Sequence, residues 1–204
     1  MRFSSIFAPL AMVSAAMAAA TPQQIADGIK QITSLSRELQ GPAQSISILN
    51  APLIVIGQGP FPKLIAGFTE IVTVGNTLAS QLEGTGPIQK RGQEHPRDFS
   101  PEEATALVAR GPDADLIFTA FREFVRVHQA LLNILIGKAG ILEKVPLVGG
   151  PIAAVLRSVE GVVDTIAITL INTVQARAKD LAAEADSLGN TLDMAIKQYE
   201  GLQV

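Results

Sequence analysis

DADLIFTAFREFVRVHQALLNILIGK, from Asp113 to Lys138, is the stretch on which the fold turns. Phe118, Phe121, Val125, Leu132 and Leu135 recur at steps of three, four and seven residues, the period of one helix face rather than of a strand. Gly111-Pro112-Asp113 marks its start, and before it Ser100-Pro-Glu-Glu103 forms a capping box, which predicts a separate short helix ending at Gly111.

The same period extends outward on both sides. Toward the N-terminus, Leu64, Ile65, Phe68, Ile71, Val72, Gly75 and Leu78 predict a helix over about 62–82. Earlier still, Ile25, Ile29, Ile32, Leu35 and Leu39 follow Thr21-Pro22, an N-cap with proline at the first helical position, and Gly41-Pro42 is expected to end that helix. A short helix is expected over 43–50. Toward the C-terminus, Gly149-Gly150-Pro151 opens a last helical region through Tyr199. It is too long for one neighbour to cover, so it should bend or split, with Gly189 the weak point. Residues 83–99 form a polar loop rich in glycine and proline. With no sustained two-residue alternation, the prediction is an all-α, single-domain bundle of about five or six helices over 21–204.

Composition narrows the function. The chain has 204 residues with no cysteine, no tryptophan, one tyrosine and two histidines, 48% hydrophobic, 17% charged, net charge -3. That is too apolar for disorder and not basic enough for a nucleic-acid binder. Disulfides, thiolate metal sites and cysteine nucleophiles are excluded, and two histidines leave few transition-metal ligands. No metal and no cofactor are expected. Arg2, the apolar run from Ile6 to Val13 and Ala18-Ala19-Ala20 read as a secretory signal over 1–20, with Ala16-Met17-Ala18 as an alternative cleavage site. The expected location is therefore extracellular, with cell-wall association open, and no transmembrane insertion is expected.

Few residues offer chemistry. Leu53-Ile-Val-Ile-Gly57-Gln-Gly59 begins like a dinucleotide fingerprint, but Pro62 stands at the third glycine position, so a turn into the next helix is the better reading. Lys90-Arg91 in the polar loop is a candidate processing site, and otherwise two solvated charges. His128 falls on the apolar stripe of the long helix. It is either a neutral core histidine paired with Asp164 or Tyr199, or a polar anchor inside an apolar cavity. Arg122 and Arg126 form a ridge at i,i+4, solvated or rimming a pocket. No Ser-His-Asp arrangement or paired-histidine metal spacing exists, which argues against an enzyme. From 154 to 174 the chain is apolar nearly all round, apart from Arg157, Glu160 and Asp164. Such a helix is either the centre of a bundle or the wall of a lipid-sized cavity.

Thr21-Pro-Gln-Gln-Ile25, Ile56-Gly-Gln-Gly-Pro-Phe-Pro62, the run Phe124 to Gly140, Pro151 to Leu156, Val162-Val163-Asp164 and Leu188-Gly-Asn-Thr-Leu192 resemble the secreted fungal family described as ultraviolet-inducible proteins. More loosely, the helical layout and a tyrosine near the end, Tyr199, are similar to the hydrophobic-surface-binding and cell-wall mannoprotein family. That likeness implies an all-α bundle, adsorption to hydrophobic surfaces and fatty-acid binding in an apolar cavity, although the chain lacks a Ser/Thr-rich stalk. The expectation is a secreted, non-enzymatic protein binding a fatty acid, another lipid or a hydrophobic surface. Phe118, Phe121, Phe124, Leu132, Val159, Val163 and Ile166 would wall the cavity, with His128 or an arginine at the head group. The alternative is a secreted interaction protein with a filled core and a protein partner.

Overall fold

The computed structural model describes residues 20–50, 53, 58–85, 101–142 and 149–202, and the side chains of all these except Asn50 and 101–110. The expected signal segment over 1–19, the candidate processing site Lys90-Arg91, most of the polar loop, Ser100 and the greater part of the 51–57 connector lie outside them. Among the described residues five α-helices follow in order: α1 (Pro22–Gln44), α2 (Pro60–Glu83), α3 (Pro101–Ala139), α4 (Gly149–Thr173) and α5 (Ala178–Glu200). The fold is all-α, and the described residues contain no strand.

Local chemistry sets the helix starts. Thr21 accepts from the Gln24 amide at 3.2 Å while the Gln24 side chain accepts from the Thr21 amide at 2.8 Å, a reciprocal capping box with Pro22 behind it. Gly59, at φ 86°, takes a left-handed conformation that favours glycine and turns the chain into Pro60 at the head of α2. This is the work of Gly59-Pro60, and the described residues around it contain no strand.

Three boundaries differ from expectation. Gly41-Pro42 does not end α1, which continues to Gln44, and a single 3-10 turn (Ile48–Asn50) replaces the short helix expected over 43–50. Gly111-Pro112 does not divide α3, which runs unbroken from Pro101 to Ala139. Both Gly111 and Pro112 are exposed, so carbonyls that lose a helical partner there can turn to water. The last helical region does split, but at Val174 and the 3-10 turn Gln175–Arg177, while Gly189 lies inside α5. Arg177 fixes that corner, with its guanidinium 2.6 Å from Asp115 and 2.9 Å from Asp180.

The helices form a closed ring. α1 packs on α2 and α3, α2 on α4, α4 on α5, and α5 returns to α3. Every helix therefore has two packed neighbours, none is central, and α3 and α4 face each other across the interior. Five helices about 9 Å apart stand about 8 Å from their common axis, against about 6 Å for four, so long side chains must reach inward to fill it. Close seams hold the ring: Gly67 of α2 lies against Leu39 of α1, and Gly75 of α2 against Val162 and Ile166 of α4. The all-round apolar character of α4 follows from this arrangement. Its solvent face carries Ala154, Ser158, Gly161, Thr165 and Ile168, small or uncharged residues, around two exposed charges, Arg157 and Asp164.

Candidate functional site

The interior is apolar with one titratable nitrogen base. Thr33, Ser36, His128, Thr173 and Thr191 are the buried polar side chains among the described residues, and none of them carries a fixed charge. His128 is fully buried, with its Nδ1 2.8 Å from the hydroxyl of Ser36 on α1. Its partner is therefore Ser36, not Asp164 or Tyr199. Asp164 is exposed on α4, and the Tyr199 hydroxyl donates to the Leu135 carbonyl at 3.0 Å.

Two rings flank the imidazole: Phe124 one turn away on α3, at 5.3 Å between centroids, and Phe68 of α2, edge-on at 6.3 Å. α2 and α3 are not neighbours in the ring, so the contact with Phe68 is made across the interior. Nε2 is buried and has no hydrogen-bond partner among the described residues. Burial alone holds the imidazolium form down, lowering the pKa from 6.5 to about 4, so His128 is neutral near pH 7.

Seven of the eight expected site residues lie in one continuous buried core: Phe121, Phe124, His128, Leu132, Val159, Val163 and Ile166. The first four come from α3 and the last three from α4, on opposite sides of the ring. Phe118 stands apart, half-buried at the core margin with the Arg177 guanidinium 5.2 Å over its ring. The arginine ridge faces outward: Arg122 lies 3.4 Å from Glu184, and Arg126 is exposed. An arginine head-group contact in the interior is thereby ruled out for both. Glu123, beside this ridge, is bonded to Arg37 of α1 at 3.0 Å.

Ser36 was not among the expected residues. The signal for it lies in the α1 register: Ile25, Ile29, Ile32, Ser36 and Leu39 alternate four- and three-residue steps, and all are buried, whereas Leu35 is only half-buried. A serine on an otherwise aliphatic stripe needs a partner, and His128 provides it. A separate half-open hollow of about 440 Å³ lies between the start of α1 and the end of α2, lined by Gln24, Asp27, Gly28, Gln31, Ser80 and Gln81. Gly28 is about 12 Å along α1 from Ser36, so the hollow is not part of this interior.

Fold and site together define a closed five-helix bundle with one neutral, half-satisfied polar group in an aromatic and aliphatic interior. In overall fold the chain is similar to ligand binding domain 1 of the Penicillium marneffei MP1 protein, solved in complex with arachidonic acids. The two share 16% identity over 85% of this chain and 94% of that one, with a TM-score of 0.54. At that identity the likeness concerns the fold. No family model and no curated protein matches the chain. Among the described residues no helix is long and apolar enough to cross a membrane, and no group of three or more His, Asp or Glu side chains is placed to hold a metal.

Proposed function

We propose that this is a secreted, non-enzymatic carrier of a lipid, a fatty acid or a molecule of similar build, held along the axis of the helical ring. The observation that carries the reading is Nε2 of His128, a buried polar atom without a partner in an otherwise apolar interior. Such atoms are rare in folded proteins, and a ligand head group is one way to satisfy them. The acyl chain would run between the α3 residues Phe121, Phe124 and Leu132 and the α4 residues Val159, Val163 and Ile166, with His128 as the anchor.

Apolar burial supplies the affinity. A chain of about 14 methylenes offers at most about 11 kcal/mol before association costs, which leaves room for micromolar binding. The fold likeness to a domain solved with arachidonic acids supports the reading. So does the resemblance to the hydrophobic-surface-binding and cell-wall mannoprotein family, which also makes the cell wall the proposed place of action.

Displacement of a fluorescent fatty acid tests it. Phe121→Asp puts a charge on the axis and should abolish uptake. Val163→Phe fills the same space without a charge and should cut uptake at least tenfold in a protein that still melts cooperatively. Unchanged uptake in folded Val163→Phe protein would overturn the assignment.

A further inference from the structure

The hydrogen bonds around His128 decide what kind of head group it can take. Ser36 Oγ lies 3.0 Å from the Ile32 carbonyl, one turn back on α1, and 2.8 Å from His128 Nδ1. A hydroxyl has one proton, so it can donate to only one of them. If it donates to Nδ1, the imidazole proton sits on Nε2, and a buried N–H is left with no acceptor. If it donates to Ile32, Nδ1–H donates to Ser36 Oγ and every donor in the chain His128, Ser36, Ile32 is used. Orphaned buried N–H groups are the rarer defect, and the second arrangement avoids one. It leaves Nε2 as a bare acceptor lone pair on a ring flanked by Phe68 and Phe124.

A bare acceptor needs a donor. The ligand must therefore bring a neutral donor into the interior, which in a lipid-like molecule is an O–H, and a carboxylate, which only accepts, does not fit. Charge leads to the same conclusion. No lysine, arginine, aspartate or glutamate side chain is buried among the described residues. The ion pairs beside the site, Arg37–Glu123 and Arg122–Glu184, lie on the outer surface. An anion on the axis would thus be desolvated with no cation to meet it.

We propose that the structure selects an apolar molecule ending in one un-ionised hydroxyl, whose O–H donates to Nε2 of His128: a long-chain alcohol or sterol hydroxyl, or a fatty acid in its protonated form. This rests on the carrier reading above and narrows its ligand class.

The tautomer is measured first, without ligand. Long-range proton–nitrogen correlation on the full chain labelled with 15N-histidine, using His95→Gln to assign His128, should show Nδ1 protonated and Nε2 unprotonated. A protonated Nε2 would overturn the proposal outright. Ser36→Ala removes the acceptor for Nδ1–H and should shift these signals toward the other tautomer.

Binding is then compared for a long-chain primary alcohol, the acid of the same length and its methyl ester, by probe displacement. The alcohol should bind about tenfold more tightly than the ester, which has the chain but no O–H, and move the Nε2 resonance on binding. That preference should vanish in His128→Phe. The acid should lose about tenfold in affinity per pH unit above its own pKa, while the alcohol does not change. Equal binding of alcohol and ester would keep the carrier and sink the donor rule. Full-strength acid binding at pH 8 with formation of an imidazolium would do the same. Failure of all three ligands to bind would remove the carrier reading, and this proposal with it.

Discussion

His128 sets the pH response of the fold. In the unfolded chain the imidazole takes up a proton near its ordinary pKa of 6.5, whereas in the folded interior burial delays this to about 4. Between those values the unfolded state binds more protons, so stability is complete above 6.5 and is lost as pH falls toward 4. The loss through this one residue is about 3 kcal/mol. Glu160 runs the other way, since desolvation, Asp164 and Asp193 raise its pKa, but it is present in any His128 variant and cancels in the comparison. Denaturant midpoints at pH 7 and pH 4.5 should therefore diverge strongly for the natural chain and much less for His128→Phe. Equal divergence would show that the imidazole is not buried as described. Tyr199 gives the alkaline counterpart: burial raises its pKa, so its contribution is intact below 10 and lost above it. Tyr199→Phe should flatten that limb and cost about 1 kcal/mol near pH 7, where the bond to the Leu135 carbonyl is lost. A pH–stability scan reads both effects.

At the scale of the helix, glycines separate the seams from the solvent faces. Apart from chain neighbours and the helix's own backbone, nothing lies within 4 Å of where a Cβ would stand at Gly137 in α3 or Gly189 in α5. Alanine at either position should stabilise by about 0.5–1 kcal/mol in urea titrations. At Gly75 the same substitution meets Val162, whose branched side chain is stiff in a helix, and should destabilise by about 1–3 kcal/mol. A stabilising Gly75→Ala would contradict the α2–α4 seam. These positions also show what could be read from sequence. The stripes of α1, α2 and α3 were legible because burial on one side imposes the helical period. Gly41-Pro42 and Gly111-Pro112 were misread as breaks because a local rule does not know which side of a helix meets water. Placing the break at Gly189 instead of Val174 failed for a related reason: the corner is fixed by Arg177 reaching Asp115, a partner far away in sequence.

For the molecule as a whole, helix count and class were legible, while ring closure was not. Which helix neighbours which depends on tertiary seams such as Gly75 against Val162, and no period encodes them. The candidate site was legible in the same partial way. Periodicity put His128 and the aromatic stripe on one face, but only the ring shows that α3 and α4 meet across an interior and that Ser36 completes the polar pair. A five-membered ring has a wider axis to fill than a four-membered one, and here that axis carries an unsatisfied acceptor. A carrier accounts for both features, whereas a filled core with a protein partner leaves Nε2 unexplained.

Native mass spectrometry on the protein, purified without detergent or organic solvent, tests this most directly. The account predicts one adduct of lipid mass per chain, released on denaturation, with His128→Phe retaining less of it. A chain that carries no adduct, and takes up none when offered a long-chain alcohol or fatty acid, would contradict it.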